Sequence, residues 1–421
     1  MLKKKSYILM YILMYICVFF FIFGWKLSKY VDIIVIVSFV FTLYTFFYIK
    51  NILCFKHVRF LFILFVLIIL YLSFIYFYHN KIEMHFILRT IRSGINFSAA
   101  IGIIFIFYKL FKNNWDKILI QFILYAIVLH SLIIIAMFIN EETRSAIYEL
   151  TNAKQYVNWA GTEISTGARI TGLTYGLAQT SAIHLIGLPL IFLDGQVANK
   201  FLKTIFSIII LISIALTSKT GLILSHIVFL FIFYQLSGNI ISTVKYTLLI
   251  MIGSIFLIIS VLLLGSFDFI NSSILFSHFM GSALNFQMMI SDPQNFYYFK
   301  HIREMWIFPT DLETFMLGSG SLGREEGGYI ATDLGYNRLI FGIGLLGLIL
   351  LLLPFLYGYY IAFQIKHADT TLYIALLCCL TLSLIINFKE IALMTRGMWS
   401  IECLLICLCI IKNKGAENEV L

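Results

Sequence analysis

Charge is scarce in this chain: Asp, Glu, Lys and Arg make up 12% of its 421 residues, while 61% are hydrophobic and the mean hydropathy is +0.95. Soluble domains carry about 25% charged residues, so a single water-facing domain is excluded and lipid must solvate most of the surface. Strict in/out alternation is also missing, which excludes a membrane barrel. The apolar residues come instead in unbroken runs such as Val58 to Tyr78 and Tyr246 to Gly265. In hydrocarbon every backbone group needs an internal partner, so these runs must be helices. No cysteine falls in a long loop and no Cys-x-x-Cys occurs among Cys17, Cys54, Cys378, Cys379, Cys403, Cys407 and Cys409, which argues against a disulfide framework and a thiolate metal site. No small-residue cleavage site follows the first apolar run, Tyr7 to Phe23, so it is expected to stay as a span behind Lys3, Lys4 and Lys5. No internal repeat is evident, which weakens a transporter built from inverted halves.

The expected fold is all-α: a polytopic helical bundle of about 12 spans with two long extracytoplasmic loops. Spans are expected near 7–23, 31–49, 58–78, 94–111, 118–139, 181–193, 201–217, 221–236, 246–265, 337–360, 372–388 and 396–411. The chain then divides into five membrane helices (1–139), a first loop (140–180), four helices (181–265), a second loop (266–336), and three helices with a tail (337–421). Lysines such as Lys50, Lys56, Lys112, Lys117, Lys200 and Lys412 fall on the side of both termini, which the positive-inside rule makes cytoplasmic. Both long loops then face outward from a cytoplasmic (inner) membrane.

Arginine sorts differently. Of nine, only Arg59 is cytoplasmic; Arg89, Arg92, Arg144, Arg169, Arg303, Arg324, Arg338 and Arg396 are all expected outside. Topology needs only charge, whereas a planar guanidinium grips phosphate or carboxylate in a fixed geometry. The plainer alternative pairs these arginines with loop acids such as Glu141, Glu142, Glu325 and Glu326.

Several segments could carry chemistry. From His79 to Ser93, Lys81, His85, Arg89 and Arg92 recur at helical spacing opposite Ile82, Phe86 and Ile91. This reads as an amphipathic helix lying in the interface, serving either headgroup attachment or a pyrophosphate cradle. Arg169-Ile170-Thr171-Gly172 closes a loop rich in Gly, Ser and Thr, where an arginine and backbone N–H groups can meet an anion. In the second loop a helix is expected from Pro293 to near Pro309, followed by the turn Gly318-Ser319-Gly320 and by Asp333-Leu334-Gly335-Tyr336 at the lip of the tenth span. Aromatic and polar groups there suit sugar rings. Gly342-x-Gly344-x-x-Gly347 spells a dinucleotide fingerprint, but it lies inside a span, where small residues serve close packing. Glu402 is expected to pair with Arg396 or another interior base, and His130, His184 and His226 to make interhelical hydrogen bonds rather than bind metal.

The order of these motifs resembles the bacterial polysaccharide polymerases of the O-antigen and capsule (Wzy) type. The likeness rests on Arg169-Ile-Thr-Gly172, Ser218-Lys219-Thr220-Gly221, Arg303-Glu-Met-Trp306, Leu317-Gly-Ser-Gly320, and Asp333-Leu-Gly-Tyr336 with Gly344-Leu-Leu-Gly347. It covers roughly residues 165–350. It implies an architecture similar to the lipid-dependent membrane glycosyltransferases, and transfer of a growing glycan from undecaprenyl pyrophosphate to another lipid-linked repeat, with no metal or other cofactor. Implied partners are the lipid-linked donor and acceptor, membrane lipids and a chain-length regulator, with no nucleic acid.

On this resemblance Arg169 and Arg303 would hold the donor pyrophosphate. Arg89, Arg92, Arg324, Lys219, Tyr336, Gly318 and Gly320 would line the substrate site. The related ligases carry a histidine eleven residues before the following Gly-x-x-Gly; here that position is Asp333. The departure favours polymerase and suggests Asp333 as the group that orients or deprotonates the acceptor hydroxyl, the alternative being an N-cap. His278 and His301 keep the ligase open as a competing reading, and a lipid-linked oligosaccharide flippase is the competitor from another class.

Overall fold

The computed structural model describes residues 2–27, 31–48, 50, 55–80, 82–153, 170–174, 176–193, 199–242, 244–245, 248, 304–321, 332 and 334–415. Among them regular structure is helical, apart from one antiparallel bridge between Lys26 and Asp32. The helices are α1 (Leu2–Phe23), α2 (Ile33–Phe47), α3 (Lys56–His79), α4 (Met84–Phe111), α5 (Trp115–Ile139), α6 (Glu141–Leu150), α7 (Leu177–Leu193), α8 (Lys200–Thr217), α9 (Lys219–Ser237), α10 (Leu312–Leu317), α11 (Gly335–Ile365), α12 (Thr370–Ile386) and α13 (Arg396–Gly415). Six described helices are long and apolar enough to cross a membrane, in α3, α4, α5, α8, α9 and α11. Shorter apolar helices cover Ile8–Phe23, Ile33–Phe47, Leu177–Leu193 and Thr370–Ile386. The expected ninth span, 246–265, lies almost wholly outside the described residues.

Burial follows from where lipid would be. In α3 the buried residues Val58, Leu61, Leu64, Phe65, Ile68, Leu72 and Ile75 form one stripe at helical spacing. The remaining faces expose Ile63, Val66, Leu70, Phe74 and Phe77, a surface that only an apolar solvent tolerates. α13 is the opposite case: every residue from Gly397 to Ile411 is buried, so this helix is enclosed by the others. Trp399 sits there between Phe65 and Phe355, with ring centroids 6.0 and 5.5 Å away.

Polar residues pin the helices to each other. Ser38, Thr42 and Thr45 share one face of α2 and bond to Asn96 Oδ1, Ile95 O and Ser98 O of α4 at 2.9, 3.0 and 2.8 Å. At Gly102 a Cβ would come within 2.5 Å of Phe41 O, so glycine sets how closely α2 and α4 approach. At the opposite end from Arg396, Lys412 Nζ bridges Asp116 and Asp369 at 2.7 and 2.6 Å, joining α5, the α11–α12 link and α13.

Two expectations change. The segment 84–93 is not a separate interfacial helix but the first turns of α4, continuous with the span. Gly94 does not break it, and the polar side faces inward: Trp399 Nε1 donates to Ser93 O at 3.0 Å and Asn96 Nδ2 to Ser400 Oγ at 3.2 Å, while Leu88 and Ile91 are exposed. Glu402 does not meet Arg396; its carboxylate accepts from Ser383 Oγ of α12, and Oε2 has no partner among the described residues.

Candidate functional site

Arg89 and Arg92 stand one turn apart on α4 and project from the same side. The charged neighbours of Arg89 are Arg92 and Arg338, which lies in the first turn of α11. Those of Arg92 include Arg396, the first residue of α13, and Asp32. Lys26 joins from the link between α1 and α2, next to Arg396, Arg92 and Asp32. That link is a small antiparallel turn: Leu27 N–H donates to Val31 O at 2.9 Å and Ile33 N–H to Trp25 O at 3.0 Å, which sets Lys26 opposite Asp32.

Asp32 has two duties. Its carboxylate caps α2 by accepting from Ile34 N–H at 3.0 Å, and it accepts from the Arg396 guanidinium at 3.0 Å. The same guanidinium donates to Gly24 O at 2.9 Å. Neither Arg89 nor Arg92 forms an ion pair with a described residue, and Arg89 Nε is buried with no hydrogen-bond partner among them. Burial, then Arg396 and Arg92, hold the Lys26 amine below the usual lysine range, against the opposing pull of Asp32. The arrangement gathers five cations at one end of the bundle, and Arg89 and Arg92 among them suit an anion bearing several oxygens.

The segment 304–321 returns to the bundle at the start of α4, close in sequence to this cluster. Ser319 and Gly320 N–H donate to Phe341 O and Gly342 O at 2.8 and 2.9 Å, and Glu83 N–H at the start of α4 donates to Gly320 O at 2.7 Å. α11 breaks where they attach, with Gly344 at φ 69° and ψ 175°. Tyr71 of α3 donates to Ile343 O at 2.8 Å, which the break leaves open. The three-glycine run in α11 therefore serves close packing, as expected, but against a loop: a Cβ on Gly344 would stand 2.3 Å from Met316 O, and one on Gly318 2.5 Å from Gly344 N. Gly318 and Gly320, with φ 80° and 73°, have a backbone reason to be glycine, and Gly318 a packing reason as well.

Residues 170–174 are anchored to the bundle by a histidine chain. Leu173 N–H donates to His130 Nε2 at 3.0 Å, His130 Nδ1 meets His184 Nε2 at 2.8 Å, and His184 Nδ1 meets Ser213 Oγ at 2.8 Å. The two histidines are thus interhelical partners of α5, α7 and α8; His226 differs, bonding Leu222 O of its own helix at 3.1 Å. Arg144 pairs with Glu141 at 3.5 Å, the plainer of its two readings.

Of the residues singled out in the sequence, Arg169, Arg303, Arg324 and Asp333 lie outside the described residues, as do His278 and His301. The N-cap of α11 is Leu334, which offers no side-chain acceptor. Lys219 opens α9, whose Thr220 accepts from Lys389 Nζ at 2.9 Å. Tyr336 donates to Leu384 O at 2.9 Å. Lys26 and Asp32 carried no motif, and Arg338 and Arg396 stood out only as members of the outer arginine set. Among the described residues no group of His, Cys, Asp and Glu could hold a metal ion.

Fold and site together define a helical membrane protein with an arginine cluster at one end of its bundle. No protein-family model, no curated protein and no solved structure matches the chain.

Proposed function

We propose that this protein polymerises lipid-linked glycan repeats at the outer face of the cytoplasmic membrane, as a Wzy-type glycosyltransferase with about twelve spans and both termini inside. The observation that carries this reading is the run of neighbouring cations Lys26, Arg396, Arg92, Arg89 and Arg338, gathered from four separate parts of the chain. When a glycan leaves undecaprenyl pyrophosphate, the anomeric C–O bond breaks and the diphosphate keeps the electron pair. Fixed cations already in place stabilise that developing charge without reorganisation. The acceptor hydroxyl oxygen forms the new bond to the anomeric carbon, and its proton passes to a base; Asp333, two residues before α11 and five before Arg338, is the candidate. Arg169, Arg303 and Arg324 would complete the grip from the outer loops.

Deletion of the gene followed by gel analysis of surface glycan tests this. Loss of the ladder with one repeat still attached supports a polymerase. Loss of all attached glycan points to a ligase or flippase and removes the reading.

A further inference from the structure

The first turn of α11 separates two different surfaces. Arg338 belongs to the basic cluster with Arg89. Tyr336 packs on α12 and on Phe388 just beyond it, the two rings meeting edge-on with centroids 4.8 Å apart. Phe388 continues to Trp306 at 6.2 Å, and Trp306 to Phe308 at 6.0 Å. Trp306, Phe308 and Phe388 are 44, 42 and 51% exposed, so the row presents ring surface outward.

Two amides adjoin the row. Asn337 Nδ2 donates to Ile307 O at 2.7 Å and ties the segment carrying Trp306 and Phe308 to α11. Its Oδ1, and Nδ2 of Asn387, are buried and lack a hydrogen-bond partner among the described residues. The two residues are joined through Tyr336 N–H, which donates to Asn387 O at 3.2 Å. One acceptor without a donor thus lies near one donor without an acceptor, and unmatched buried groups of this kind call for a reason.

We propose that Trp306, Phe308 and Phe388 form a platform on which pyranose rings of the glycan lie, one helical turn from the pyrophosphate cluster. Sugar rings present polarised C–H faces, which suit the negative face of an aromatic ring. A hydroxyl donates and accepts at once, so one sugar hydroxyl can satisfy both Asn337 Oδ1 and Asn387 Nδ2. Aromatic rings near a membrane surface also anchor headgroups; the continuity with Arg338 and with two unmatched amides is what favours sugar here. That the sugar is part of a lipid-linked glycan rests on the function proposed above.

The full chain in phosphatidylethanolamine–phosphatidylglycerol nanodiscs is titrated with two probes: oligosaccharide released by mild acid from the host strain's own surface polysaccharide, and sugar-free undecaprenyl pyrophosphate. The oligosaccharide should bind, and Trp306→Leu and Phe388→Leu, which keep apolar volume, should each weaken it tenfold or more while the sugar-free lipid binds as before. Unfolding midpoints within a few degrees of the parent confirm intact folding. Unchanged oligosaccharide affinity in both variants, or none in the parent, overturns the platform. So does bromolipid quenching of Trp306, read as the difference from Trp306→Phe, that added oligosaccharide leaves unaltered. Failure of the parent to bind undecaprenyl pyrophosphate would strike the polymerase reading instead, and the oligosaccharide titration would still decide the platform.

Discussion

Arg396 and Asp32 meet at 3.0 Å, and this pair ties the start of α13 to the α1–α2 link at the end of the bundle where the other cations gather. Among the described residues the charged neighbours of Lys26, Arg89 and Arg92 are one another, Arg338, Arg396 and Asp32. The Asp32 carboxylate is committed to the Arg396 guanidinium, and both side chains are largely shielded, at 17 and 13% exposure for Arg396 and Asp32. Arg89 and Arg92 are held beside like charges by the fold, a cost that an anionic ligand would relieve.

Asp32→Asn tests that relationship cleanly, because an asparagine oxygen can still cap α2 at Ile34 N–H. Removing the charge weakens one of the Arg396 contacts while that to Gly24 O stays, and should destabilise the protein by about 2 kcal/mol. It should also tighten binding of undecaprenyl pyrophosphate several-fold and steepen its salt dependence. Thermal unfolding and a lipid titration at two ionic strengths measure both. A variant that binds the lipid more weakly would show that Asp32 shapes the site rather than neutralising it.

Lys26 supplies a pH signature. Its amine titrates below the ordinary lysine range because burial and the Arg396 and Arg92 charges disfavour its protonated form. A bound diphosphate reverses the electrostatic part and raises the pKa, so binding takes up a proton. By linkage, affinity should be greatest below the pKa of the free state and fall as pH rises through it toward the pKa of the complex. The same depression should make Lys26 acylate faster than exposed lysines at mildly alkaline pH, with protection by inorganic pyrophosphate. Mass-spectrometric labelling rates that single out no lysine, or show no protection, would remove Lys26 from the cluster's chemistry.

The helices were legible in the sequence because long apolar runs leave few alternatives in lipid. The placement of Arg89 and Arg92 was not. A basic stripe opposite Ile82, Phe86 and Ile91 fits an interfacial helix as well as it fits the first turns of α4. What decides is the partner of the polar side, and that partner, Trp399 and Ser400, lies some 300 positions along the chain. Arg338 and Arg396 likewise looked like scattered outer charges until folding brought them to Arg89 and Arg92. The glycines at 342, 344 and 347 announced close packing but not the break at Gly344, since glycine suits both a tight helix contact and a left-handed kink.

The break at Gly344 is a lock between the 316–320 segment and α11. Gly344→Ala would place a Cβ 2.3 Å from Met316 O on a residue with φ 69°, so backbone must move. The expected loss is roughly 3 kcal/mol or more, combining strain with disrupted packing. Gly94→Ala is the control: nothing lies within 4 Å of a Cβ there, and alanine is favoured over glycine in a helix by about 1 kcal/mol. Unfolding midpoints should therefore move in opposite directions. Equal effects would mean that the Met316–Gly320 segment is not seated on the kink.

The histidine chain that holds residues 170–174 can be tested in the same way. Since Leu173 N–H occupies His130 Nε2, the proton of that ring sits on Nδ1 and is given to His184 Nε2, whose own Nδ1–H reaches Ser213 Oγ. Phe23 stacks on His130 with centroids 4.1 Å apart and planes 10° from parallel, closing the network from the α1 side. His130→Ala would orphan a buried N–H and a buried ring nitrogen and open a cavity, a loss of about 3–4 kcal/mol. Ser213→Ala removes only the outer end of the chain and should cost about 1 kcal/mol. Hydrogen exchange at the Leu173 amide discriminates further: it should accelerate in His130→Ala and stay near the parent rate in Ser213→Ala. Parent-like exchange in the His130 variant would mean that the turn at Gly172 is held by the chain around it and not by the imidazole below.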